Sequence, residues 1–128
     1  MKRIAVLLCL ASTPLTAQTA TGNEIAAACE YLSEADVRSG YCIGYVIGSW
    51  EGMKLGAFQM LLASGANGTA QELDNAVNGL LGICVPDTVE RGQIIDISVK
   101  YFDENPEKRH LPARGLIRDA LKVAFPCV

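Results

Sequence analysis

Cys29, Cys42, Cys84 and Cys127 constrain this chain more than any other feature, because four cysteines in a small exported domain predict two disulfides. None of these four sits within CxxC spacing of another, which removes a redox motif. Zinc sites usually draw on paired short spacings, and these cysteines offer none. Four cysteines allow three pairings, and sequence alone does not choose among them. Cys42–Cys84 with Cys29–Cys127 is the favoured arrangement, since each bond would tie a helix to a distant segment. Loops of that length contribute roughly 4 to 5 kcal/mol each in the chain-entropy account. A domain of this size has a total stability of about 5–15 kcal/mol, so bonds of that strength would decide whether it folds.

The premise of export comes from the opening stretch, MKRIAVLLCLASTPLTAQ. Lys2 and Arg3 form a positive n-region, Ile4 to Leu10 a short apolar h-region, and Pro14 breaks the helix before a run of small residues. The expected leader is 1–17, cut after Ala17, with a cut after Ala20 as the alternative. The apolar run is far below the roughly 20 residues of a membrane span. A lipoprotein signal needs a small residue before its cysteine, but Leu8 precedes Cys9. Residues 18–128 then form one domain with no membrane anchor and an expected periplasmic location. The formal charge of the chain is -3, and losing Lys2 and Arg3 makes it more acidic. That balance lacks the basic footprint of a nucleic-acid binder. It suits a basic protein partner.

Hydrophobic spacing predicts an all-α, disulfide-braced bundle of four to five helices. The first starts within Thr21 to Glu24, with Asn23 as its N-cap, and runs to Leu32, with Ile25, Ala28, Cys29 and Leu32 in register. The second spans Gly40 to Leu62, and a short one Gln71 to Leu81. Asp87 to Glu90 has the form of a capping box for a helix reaching Phe102. The last covers Leu111 to Ala124, with Arg114, Arg118 and Lys122 on its wet face.

The second helix is unusual in carrying glycine at 40, 44, 48, 52 and 56. Each interior glycine costs up to about 1 kcal/mol against alanine. Two explanations offset that cost. The favoured one is a tightly packed core helix; the sharper one is a helix-pairing face in a homodimer.

Chemistry is poorly supplied. His110 is the one histidine, and a Cys–His nucleophile pair needs a thiol that the disulfides would consume. No nucleophile elbow, phosphate-cradling loop or metal-ligand spacing is present, so no catalytic residue, cofactor or metal is assigned. Asp103-Glu104 reads as a solvated helix end. Binding through helix faces, or through the loop around Gly65 to Thr69, is what remains.

Four segments in order resemble a known family. Cys42-Ile43-Gly44-Tyr45 with Gly48 is similar to its CxGYxxG helix. Ile83-Cys84-Val85-Pro86 followed by Val89 and Gln93 is similar to its CxPxxVxxxQ segment. Tyr101-Phe102, Asn105-Pro106-Glu107 and His110 resemble its YLxxNPExxH turn. Ala120-Leu121 and Phe125-Pro126-Cys127 resemble its AL…FPC close. Together they are similar to the Rap1a/Tai family of immunity proteins from Asn23 to Cys127. The resemblance implies a small helical periplasmic protein, often a homodimer and not an enzyme. Its partner would be a cysteine-peptidase-type peptidoglycan amidase delivered by type VI secretion, whose active site it occludes. The alternative is a stand-alone periplasmic structural or stress protein, such as a helical HdeA-type chaperone. The motif residues report the fold, and Ala66 to Gly82 matches no family pattern, which leaves partner specificity to that stretch.

Overall fold

The computed structural model describes residues 19–127, and the expected leader lies outside that range. Five α-helices follow in order: α1 (Gly22–Cys29), α2 (Val37–Ala63), α3 (Ala70–Leu81), α4 (Arg91–Glu104) and α5 (Ala113–Ala124). A 3₁₀ turn, Pro106–Lys108, joins the last two. No strand occurs among the described residues.

Capping side chains fix where these helices begin. Thr21 and Glu24 form a reciprocal capping box at α1: the Thr21 N–H donates to the Glu24 carboxylate at 2.7 Å. Thr69 and Glu72 repeat it at α3, with the Thr69 N–H donating at 2.8 Å. Both are the T-x-x-E signature, so α1 starts from Thr21 and not from Asn23. Asp36 caps α2 by accepting the Arg38 N–H at 2.7 Å. The cap of α4 lies one turn beyond the predicted box, where Gln93 Oε1 accepts the Glu90 N–H at 2.9 Å. Gly82, left-handed at φ 66, ends α3 and turns the Ile83 N–H back to the Asn78 carbonyl at 3.1 Å.

α2 has 27 residues and is about 40 Å long. It packs against each of the other four helices. Its buried face is Cys42, Val46, Trp50 and Ala57. Around that face close Ile25 of α1, Phe102 of α4, Ile117 and Leu121 of α5, and Ile83 from the link after α3. Ser98 is the buried polar residue of this core, and its hydroxyl donates to the Ile94 carbonyl at 2.8 Å. Every buried side-chain polar atom among the described residues has a hydrogen-bond partner.

Two short backbone pairings hold the chain ends. Thr21 bridges Pro112, with the Gly22 N–H donating to the Leu111 carbonyl at 2.9 Å and the Ala113 N–H to the Ala20 carbonyl at 2.9 Å. The second of these caps the start of α5, which has no side-chain cap of its own. Ile83 bridges Pro126, with the Cys84 N–H donating to the Phe125 carbonyl at 2.9 Å.

The crossed disulfide arrangement expected from the sequence is not formed. Cys29 bonds Cys42 across a sequence separation of 13, and Cys84 bonds Cys127 across 43. The physical reason is local. The short connector after α1 brings the last turn of α1 against the second turn of α2, with a Cα–Cα distance of 5.1 Å. The Ile83–Pro126 bridge sets Cys84 beside Cys127, at 5.0 Å. The Cys29–Cys42 loop, at a separation of 13, contributes about 3 kcal/mol in the chain-entropy account, and the Cys84–Cys127 loop, at 43, about 4 kcal/mol.

α2 is a core helix as favoured, but its glycine row is not where it packs. A Cβ placed at Gly40, Gly44, Gly48, Gly52 or Gly56 would meet no atom of the described residues within 4 Å. None of the five lies on the packed face of α2.

Candidate binding surfaces

At 3.6 residues per turn, a row repeating every fourth residue drifts around the helix by about 40° per step. The glycine row of α2 therefore does not occupy one face. Gly40, Gly44 and Gly48 lie on the outward side, beside exposed Tyr41 and Ile43, with Val37 85% exposed one turn earlier. Tyr41 and Tyr45 pack edge to face on this side, ring centres 6.1 Å apart. Gly52 and Gly56 have rotated onto the flank of α2, where they form the floor of a groove.

That groove runs between α2, α3 and α5 and has a volume of about 450 Å³. Met53, Ala57, Met60, Leu80 and Leu81 give it an apolar lining, and Arg114 and Arg118 of α5 line it as well. Arg118 binds its neighbour Asp119 at 2.8 Å. Arg114 has no ion-pair partner among the described residues. Lys122 follows on the next turn of α5 and lies over Gly82. The predicted wet face of α5 thus becomes a cationic edge along an apolar trough.

A second groove, about 500 Å³, lies between α2 and α3 and is lined by Leu55, Phe58, Ala70, Leu73 and Val77. Its charges are already matched: Lys54 Nζ sits 2.8 Å from Asp74 Oδ1, and Asp74 also accepts from Asn78 at 3.1 Å. Neither groove was found by sequence reasoning. The apolar pattern of α3 was visible, but not which of its residues would be left between helices.

The residues singled out in the sequence divide cleanly. Cys29 and Cys42 are buried, while Cys84 and Cys127 are exposed. All four are bonded, so none offers a thiol to His110, which is exposed at the end of the turn before α5. Asp103 binds Arg109 at 2.8 Å and Glu104 lies 3.8 Å from Lys100, so the acidic pair is structural. Asn105 of the NPE turn donates to the Tyr101 carbonyl at 2.9 Å and accepts from Lys108 at 2.8 Å. Gly65 and Gly68 both have positive φ in the exposed loop between α2 and α3. Gly44 and Gly48, within the first family-like motif, have open space beside them.

The perturbed carboxylates are all helix caps. Hydrogen bonds from the Arg38 side chain, then from its backbone N–H, hold Asp36 down to about 2. Glu24 and Glu72 are lowered by the backbone N–H and then the hydroxyl of Thr21 and Thr69 respectively. Charge is placed where it begins a helix, not gathered at a reactive centre.

No helix among the described residues is long and apolar enough to cross a membrane. Neither a search of the curated proteins nor one of the solved structures returns a match. Among protein families, that of the Rap1a immunity proteins matches residues 21–127, nearly all of the described chain. With its disulfide-braced helices and its apolar grooves, the chain belongs to the Rap1a family of immunity proteins.

Proposed function

We propose that this immunity protein works in the periplasm, where it binds a cysteine-peptidase-type peptidoglycan amidase delivered by type VI secretion and occludes its active site. The observation that carries the reading is the family match across residues 21–127. The two disulfides support an oxidising compartment. They also support inhibition by binding, since a surface held rigid before contact loses less entropy when it docks. A cleaved leader at 1–17 would deliver the chain there. The test is to purify the protein from its native periplasm after challenge with the effector-delivering strain, identify the bound effector, and assay its peptidoglycan amidase activity with and without the immunity protein. Stoichiometric inhibition supports the reading. An amidase that keeps full activity in the presence of folded protein overturns it.

The same protein would act as a homodimer through the outward part of α2. Gly44 and Gly48 each cost the helix roughly 0.5–1 kcal/mol, and nothing among the described residues packs on them in return. A second α2 crossing there would recover that cost by close backbone approach. Gly44→Leu should then give a monomer in light scattering where the wild type gives a dimer. A monomeric wild type at high micromolar concentration would rule out this face.

A further inference from the structure

The groove between α2, α3 and α5 differs from its neighbour in one respect: it holds a cation, Arg114, with no ion-pair partner among the described residues. In the α2–α3 groove the cation Lys54 is neutralised by Asp74 at 2.8 Å. In the α2–α3–α5 groove Arg114 has no ion-pair partner among the described residues, and Arg118 has only the adjacent Asp119. Lys122 extends the same edge by one more turn. A row of cations at i, i+4 and i+8 is repulsive on its own helix, and Asp119 relieves only its middle member. In a chain of net charge -3 it is also a local reversal of sign. Beneath it lies an apolar trough whose floor, Gly52 and Gly56, carries no side chain. Met60 in its lining is flexible and polarisable, which lets it adapt to the shape of what enters.

We propose that this groove is the docking site for an acidic, apolar segment of the effector. A bulky apolar side chain of the partner would lie between Met60 and Leu80, over the backbone of Gly52 and Gly56. Carboxylates flanking that side chain would pair with Arg114 and Arg118. The apolar contact supplies the anchor, and the cationic edge selects the sign of the partner and speeds encounter. In naming the effector as the occupant, the proposal rests on the immunity reading.

The test separates the two. The oxidised protein, labelled with ¹⁵N, is titrated with a synthetic helical peptide carrying Leu and Phe on one side with Glu flanking them, and with its twin carrying Lys in place of Glu. The Glu peptide is expected to move the amide signals of Gly52, Gly56 and Gly115, while the Lys twin leaves them in place. The Arg114→Glu/Arg118→Glu variant should weaken binding at least about tenfold. Gly56→Leu should abolish it while raising the melting temperature, because the new side chain enters open space in the groove and favours the helix. Equal binding by the Lys twin, or shifts confined to the α2–α3 groove, overturns the proposal. The same variants are then tried against the effector. An effector that binds the wild type and the double-charge variant alike overturns the groove and leaves the immunity reading standing. A Glu peptide that behaves as expected, beside an amidase that no form of the protein inhibits, supports the groove and removes the immunity reading.

Discussion

Gly22 at the start of α1 and Leu116 on α5 leave no room for a methyl group between them. A Cβ on Gly22 would lie 2.5 Å from Leu116 Cδ1 and 2.9 Å from the Arg109 carbonyl oxygen. Backbone cannot move aside as a side chain can, so Gly22→Ala should destabilise the fold by about 1–3 kcal/mol. Gly79, helical in α3 with open space beside it, makes the control. Gly79→Ala should stabilise by up to about 1 kcal/mol. Urea melts of the two variants check both signs. A Gly22→Ala protein as stable as wild type would mean that α1 does not seat on α5 as described.

The two disulfides differ in access. Cys29 and Cys42 are 4% and 0% exposed, whereas Cys84 and Cys127 lie at the surface. Mild reductant should therefore open Cys84–Cys127 first. Alkylation after partial reduction, followed by peptide mapping, should find label on Cys84 and Cys127 while Cys29–Cys42 remains intact. Removing the exposed bond by serine substitution should cost up to about 4 kcal/mol, and removing the buried one about 3 kcal/mol or more, because its sulfurs also pack in the core. Simultaneous opening of both bonds would contradict the difference in burial.

Acid should loosen the helix starts. Asp36, Glu24 and Glu72 all have carboxyls lowered in the folded chain relative to their ordinary values. The unfolded chain therefore binds more protons as pH falls, and stability falls with it. The contribution is fully present above the ordinary carboxylate range and disappears toward about 2, where Asp36 titrates in the fold. Thermal melts between pH 6 and pH 2 should show a steady drop in Tm. Asp36→Asn should start lower at neutral pH and fall less steeply. A variant that follows the wild-type slope would show that this cap does not couple to folding.

Arg109 ties the NPE turn to the end of α4. Its Nε donates to the Phe102 carbonyl at 2.6 Å and its second nitrogen to Asp103 at 2.8 Å. Its own carbonyl accepts the Asn23 N–H at 2.8 Å, so the turn also holds α1. Lysine cannot reproduce the forked contact. Arg109→Lys should cost about 1–2 kcal/mol, and Arg109→Ala somewhat more. Hydrogen exchange should quicken first at Gly22 and Asn23, whose amides depend on this turn.

Much of the fold was legible because helices announce themselves locally. The apolar register of α4 and α5 and the proline at the end of α4 set their limits within a few residues. The errors came where the deciding contact was between elements. The Thr21 and Thr69 capping boxes were written in the sequence as T-x-x-E, and Thr21 to Glu24 marked the first helix start, but Asn23 competes with Thr21 for the cap because it also caps well. Disulfide pairing depended on the turn after α1 and on the Ile83–Pro126 bridge, neither of which has a periodic signature. The glycine row could be seen, but its outward direction could not, since a glycine says that space is free without saying on which side. The binding grooves were least visible of all. Leu80 and Arg114 come from separate helices and meet only because α2 holds both at its flank.

The pinning of Thr21 to Pro112 has a consequence for how the chain is made. Synthesis delivers α1 first and α5 last, so Gly22 and Ile25 must wait until Leu116 and Ile117 exist before their surfaces are covered. The Cys29–Cys42 hairpin can close early, but the bundle cannot. While α5 is still withheld, the described bundle stays open. Closure of the core around α1 therefore waits on α5, the last helix of the described chain to be made.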